Sequence, residues 1–209
     1  MIINFMVRDF ANHFRFIYLC LKKNVMKITY PHTIDNGCGE TLTFNQVIQE
    51  PDGDRVLGEA SVTPGSGPPM HVHWLQDECF TVVKGKLGYQ VQGSPEQFAG
   101  EGESILFKKG VAHRFWNAGE DTMLCKAWVK PAHNFVYFLS SIYAAQQKTG
   151  TLRPAMIDAA FLLRRYKSEY DMLDIPVFVK KVIMPVTYFA GKLLGKYRHY
   201  KDAPEPVKG

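Results

Sequence analysis

The sequence predicts a mainly β fold, a sandwich or barrel of short antiparallel strands, followed by a helical C-terminal part. Three observations carry this. Of 209 residues, 17 are Gly and 12 are Pro, and these turn formers crowd between residues 51 and 119, separating short apolar runs. Those runs are rich in β-branched and apolar residues, as half-buried strands require. After Pro131 the apolar repeat changes from the strand period to the helix period.

The elements follow in order. Thr41–Gln49 and Arg55–Thr63 read as strands joined by the turn Pro51-Asp52-Gly53-Asp54. A Gly/Pro loop, Thr63–Pro69, leads into Met70–Trp74. Glu78–Val83, the hairpin turn Lys84-Gly85-Lys86 and Leu87–Val91 form the next pair. Ser104–Lys108, Ala112–Trp116 and Thr122–Val129 complete the β region, so residues 26–134 are read as a barrel. In residues 135–209, Phe135–Gln147 and Ala155–Tyr170 are expected to be helices, Pro176 and Pro185 to break the apolar stretch after them, Thr187–Tyr197 to form a last short helix, and Asp202–Gly209 to fray.

Residues 1–25 form an N-terminal extension. Phe5, Phe10, Phe14, Ile17 and Leu21 recur at helical spacing, and Met26 opens a segment that reads like a natural start. Arg15 interrupts the apolar run and no small-residue cleavage site follows, so neither a cleaved signal nor a membrane span is expected. Cys20, Cys38, Cys79 and Cys125 show no CxxC spacing; the expectation is packed free thiols at Cys79 and Cys125 and a cytoplasmic, reducing setting.

Charge is uneven. Residues 26–149 carry ten basic and thirteen acidic residues, whereas residues 150–209 carry eleven basic and six acidic. The mildly acidic middle, and the lack of a helix-turn-helix pattern, argue against nucleic acid as a partner. The apolar run Val182–Gly191, flanked by Lys180, Lys181 and Lys192, is too short to cross a bilayer. It is read as packing on the barrel or a partner subunit, in preference to lying in a membrane interface.

The chemistry concentrates in Gly65-Ser-Gly-Pro-Pro-Met-His71-Val-His73-Trp-Leu-Gln-Asp-Glu78. On a strand, residues two apart share a face, so His71 and His73 point the same way, and a metal ion is the natural use of two converging imidazoles. If the chain reverses at Trp74–Asp77, Glu78 returns to that face, with Phe80 and Val82 behind it. Met70 and Trp74 flank the histidines at an entrance, and Gln76 and Asp77 are rim-loop candidates. A second cluster, Gly102-Glu-Ser-Ile-Leu-Phe-Lys-Lys-Gly110-Val-Ala-His113-Arg-Phe-Trp-Asn117, puts His113, Phe115 and Asn117 on one strand face after a turn at Lys108–Gly110.

Together the two segments resemble the cupin family. The first fits the pattern G-x5-H-x-H-x4-E-x6-G at every fixed position, ending at Gly85. The second fits G-x5-P-x-G-x2-H-x3-N except that Lys108 stands where the family usually has Pro, which bears on the stiffness of that turn. The resemblance covers roughly residues 40–130. It implies a double-stranded β-helix (jelly-roll barrel), with one divalent transition metal (Fe, Mn, Ni, Co, Cu or Zn) held at the barrel mouth by His71, His73, Glu78 and His113. Octahedral coordination would leave two positions open. Phe80, Phe107, Phe115 and Trp128 are the substrate-pocket candidates by strand parity.

Cupins host many activities. The expectation is a mononuclear metal-dependent oxidoreductase, dioxygenase-like, acting on a small molecule. The alternatives are a non-catalytic small-molecule-binding module and a metal-assisted isomerase or decarboxylase. The resemblance also implies a homodimer formed through barrel edges or exchanged N-terminal strands.

Overall fold

The computed structural model describes residues 28–208; the proposed amphipathic helix at residues 5–21, Met26 and Cys20 lie outside them. Ten strands occupy the first part of the described chain: β1 (His32–Asp35), β2 (Glu40–Ile48), β3 (Arg55–Val62), β4 (His71–His73), β5 (Asp77–Lys84), β6 (Leu87–Val91), β7 (Gln97–Ala99), β8 (Ser104–Phe107), β9 (His113–Asn117) and β10 (Met123–Lys130). Two helices follow, α1 (Phe135–Thr149) and α2 (Met156–Arg165), then strand β11 (Tyr170–Met172) and helix α3 (Met184–Leu193), which continues from a π-helical stretch at Val179–Ile183.

The strands form two antiparallel sheets, in the orders β1-β2-β3-β10-β5-β8 and β11-β4-β9-β6-β7. This is the mainly β, jelly-roll arrangement with C-terminal helices that the sequence predicts. Alternation sets its inside. Glu78, Phe80 and Val82 of β5, and His113, Phe115 and Asn117 of β9, are all buried, as period-2 strands with one face on a core require. One apolar cluster, including Phe80, Leu87, Phe107, Phe115 and Met123, fills the barrel. A second, including Phe44, Val129, Phe135, Phe138, Tyr166 and Tyr170, joins the barrel to α1 and α2.

Four expectations need correction. The helix expected over Ala155–Tyr170 stops at Arg165, and Tyr170–Met172 turns back as an edge strand on β4. The unsatisfied edge of the histidine-bearing strand supplies backbone partners that a longer helix would forgo. Pro185 does not break the chain: with no N–H it cannot donate to the preceding turn, and the turn before it widens into the π stretch. Residues 203–207 are tied down, since Arg165 and the Tyr166 hydroxyl donate to the Pro204 carbonyl, the Ser168 hydroxyl to that of Val207, and the Val207 N–H to Glu169. Finally, the run Val182–Gly191 packs on α2 through one face only. Met184 and Gly191 are buried there, while Val186 and Phe189 remain exposed. Cys79 and Cys125 are buried free thiols as expected, and burial pushes Cys125 up to about 12.

Candidate metal centre

β4 carries His71 and His73, β5 begins at Asp77-Glu78, and β9 begins at His113. His71 pairs directly with His113 across β4 and β9, so the two rings share a face, with centroids 4.5 Å apart. Glu78 comes from the other sheet, next to Phe107. The barrel's closure therefore brings donors from both sheets to one point. One donor atom from each of His71, His73, Glu78 and His113 lies within 4.8 Å of the others.

The hydrogen bonds decide which atoms face that point. Nδ1 of His71 lies 2.8 Å from the Pro69 carbonyl, and Nδ1 of His113 lies 2.9 Å from that of Val111. A carbonyl only accepts, so each Nδ1 carries the proton and each Nε2 keeps a lone pair. The Nε2 of His113 then faces Oε2 of Glu78 at 3.0 Å, with the Nε2 of His73 3.9 Å from the same oxygen. Lone pairs turned on a carboxylate repel unless a cation lies between them, either a proton on one ring or a metal ion serving all four donors. Nδ1 of His73 is buried and without a hydrogen-bond partner among the described residues.

Burial supports the same donor state. His73 and Glu78 are 5% exposed and His113 1%; His71 alone is partly exposed. Burial, with His113 and His73 adding to it, drives His71 down to about 3. Burial likewise lowers His73, against the pull of Glu78. For Glu78, burial acts upward, but His73 and His113 outweigh it and hold the carboxyl down to about 2. Imidazole lone pairs beside an ionised carboxylate are what a divalent transition ion binds. The donor set fits such an ion.

The loops that frame the cluster are stiff for identifiable reasons. The Gly110 N–H donates to the His73 carbonyl at 2.7 Å, and Gly110 has φ +77°, which favours a residue without Cβ. Lys108, at the family's proline position, is held instead by Asp77. The two Asp77 carboxylate oxygens accept from the Lys108 ammonium and from the Lys109 N–H, each at 2.9 Å. Asn117 braces the far end of β9, donating to the Val62 and Asp121 carbonyls and accepting from the Gly119 N–H.

The aromatic candidates divide. Phe107 lies flat on His113, with centroids 3.9 Å apart and planes 4° from parallel. Phe80 packs on Phe115 at 4.4 Å, deeper in the barrel core. Trp128 does not line the interior. Cys125 and Val129 of the same strand are buried inward, so parity turns Trp128 outward, under the guanidinium of Arg55 at 4.9 Å. The expectation fails because the inner position opposite the bulky Phe80 is taken by Ala127.

Sequence reasoning also missed the C-terminal cover. Tyr170 pairs across from His73, and Met172 across from His71. The Tyr170 ring meets His73 edge-on at 5.5 Å and stacks on Phe138, while Phe135 closes the other side of His73 at 5.6 Å. Fully buried Glu169, next in the chain, accepts from Asn134 Nδ2 and the Val207 N–H, which ties cover, helix and tail together. Gln76 donates to the Tyr170 hydroxyl from beneath. Of the entrance residues, Met70 accepts a bond from the Leu173 N–H and Trp74 donates to the Glu169 carbonyl. Another buried acid, Glu40, accepts from Asn36 and Tyr143. Burial, helped by the charge of Glu78, raises it to about 7. Nothing local in the sequence marks Tyr170 or Glu40 as neighbours of the cluster.

Comparison with known proteins now places the barrel. Residues 58–129 match the family model described as "Cupin domain", so this part of the barrel is a cupin domain. Among curated proteins, "Probable oxidoreductase virH" of Hypocrea virens is 32% identical over 95 residues, covering 41% of this chain and 43% of that one. "Oxidoreductase iacF" of Pestalotiopsis fici is 28% identical over 109 residues, covering 48% and 53%. The match thus spans about half the length of these relatives. Solved structures to which the chain is similar include the Cnp3 cupin domain of Schizosaccharomyces pombe, with TM-score 0.37, 15% identity and coverage of 42% of this chain and 59% of that one. The capsular polysaccharide assembling protein CapF of Staphylococcus aureus has TM-score 0.42 and 23% identity, covering 51% and 30%.

Proposed function

We propose that this protein is a mononuclear metal-dependent oxidoreductase of the dioxygenase type, acting on a small, largely apolar molecule in a reducing compartment. The convergence of three imidazoles and one carboxylate, with two ring tautomers set by backbone carbonyls, is the observation that carries this reading. The oxidoreductase names of the relatives support the reaction class. His71, His73, Glu78 and His113 would hold the ion, which would supply Lewis-acid and redox chemistry toward a chelating substrate or O₂. Glu78 would offset part of its charge. Phe107, Phe135 and Tyr170 keep water from the donors. Substrate enters on the side of His71, the one donor residue that is partly exposed.

Anaerobic reconstitution with Fe(II), followed by oxygen-uptake assays against small enols, thiols and diphenols, tests this. Metal-dependent uptake that disappears in Glu78→Ala is the expected result. Conversion under nitrogen without oxygen use would indicate an isomerase or decarboxylase instead. The near-complete burial of His73, Glu78 and His113 favours one further reading, a closed binding module. A ligand-dependent change in association without any product would support that reading.

A further inference from the structure

The described helix with the largest exposed apolar face contributes no side chain to the His71, His73, Glu78 and His113 cluster. From Phe178 through the π stretch and α3, the side chains of Phe178, Val182, Val186, Phe189 and Leu193 recur at steps of three and four, which places them on one face. Their exposures are 64, 42, 65, 56 and 89%. The opposite face, Met184 and Gly191 with Tyr188, seats the helix on α2, where Tyr188 meets Phe161. The helix is therefore apolar on both sides, with one side uncovered among the described residues.

Charge selects the occupant. Between Asp174 and Asp202 there is no acidic residue, while Lys180, Lys181, Lys192, Lys196, Arg198 and Lys201 are all basic. All of these except Lys180, which pairs with Asp171, are exposed. A second copy meeting this face about a two-fold axis would set cations against cations. Residues 1–25, with four basic residues and one acidic, would meet the same repulsion. An apolar strip bordered by cations complements an anionic lipid surface, with rings and aliphatic chains among the acyl chains and lysines at the headgroups. Among the described residues no helix is long and apolar enough to cross a membrane, so the geometry is that of a helix lying in the interface.

We propose that α3 and the π stretch before it dock this protein on anionic membranes. The test is flotation of the full chain with phosphatidylcholine vesicles and with phosphatidylcholine/phosphatidylglycerol vesicles, with light scattering in parallel. The expected result is binding to the anionic vesicles only, weakened by salt. It should fall about a hundredfold in Phe189→Ser/Leu193→Ser, through loss of inserted apolar surface. In Lys181→Glu/Lys192→Glu it should fall about tenfold or more. These side chains are exposed, and an unchanged circular dichroism spectrum confirms that each variant is folded. No vesicle binding by the full chain overturns the proposal, as does binding that both variants retain. A concentration-dependent dimer that Phe189→Ser/Leu193→Ser dissolves, without vesicle binding, overturns it in favour of self-association.

Discussion

The ligand-bearing end of the barrel and the outer face of α3 treat side chains in opposite ways. At the barrel end the chain buries two imidazoles and a carboxylate, half-buries a third imidazole, and sets Phe135 and Tyr170 against His73. On α3 it leaves Phe189 and Leu193 in solvent. Polar groups inside and apolar groups outside both run against the ordinary partition, and the two proposals rest on these departures. Converging lone pairs suit a cation, and the uncovered apolar strip flanked by lysines suits an anionic apolar surface.

The contrast can be tested by comparing aromatic residues. Tyr170→Ala removes a ring stacked on Phe138 and set against His73, and should cost about 3–5 kcal/mol in denaturant unfolding. Phe189→Ala loses only this ring's half-exposed contacts with Tyr188 and the Arg164 guanidinium, and should cost no more than about 1 kcal/mol in the same assay. Similar losses for the two would erase the distinction.

Glu40 provides a pH test of the buried end. Its carboxyl is raised in the fold from 4.5 to about 7, so between those values the native state holds a proton that the unfolded chain has released. Its contribution to stability is therefore greatest below pH 4.5 and declines by about 3 kcal/mol as pH rises to 7. Glu40→Gln keeps a partner for Asn36 and Tyr143 without the charge. The wild-type unfolding free energy should drop relative to the variant across this window, whereas parallel profiles would mean that Glu40 ionises normally.

Asp77→Ala loses the bonds to Lys108 and Lys109. Because the site is partly exposed, the cost should be only about 1 kcal/mol. Amide exchange at Gly110, whose N–H reaches the His73 carbonyl, should quicken. Unchanged exchange would show that the turn holds its shape without Asp77.

The barrel and the convergence of His71, His73, Glu78 and His113 were legible because their signals are local. Parity aligns His71 with His73, and fixed spacings place Glu78 and His113. What stayed hidden depends on partners distant in sequence. Trp128 faces outward because Phe80 on the neighbouring strand fills the space opposite Ala127, which one strand cannot reveal. Tyr170 continues a helical apolar pattern, yet it becomes a strand because β4 offers an open edge nearly 100 residues upstream. The tail at 203–207 looked frayed by composition, but Arg165, Ser168 and Glu169 hold it through its backbone, and composition does not encode backbone bonding.

The most direct measurement is anaerobic titration of the metal-free full chain with Fe(II), repeated on His73→Ala and Glu78→Ala. One ion bound per chain, with stoichiometric binding lost in both variants, is the result expected from four donors on a single centre. Wild-type protein that takes up no ion, or variants that bind as the wild type does, would contradict it.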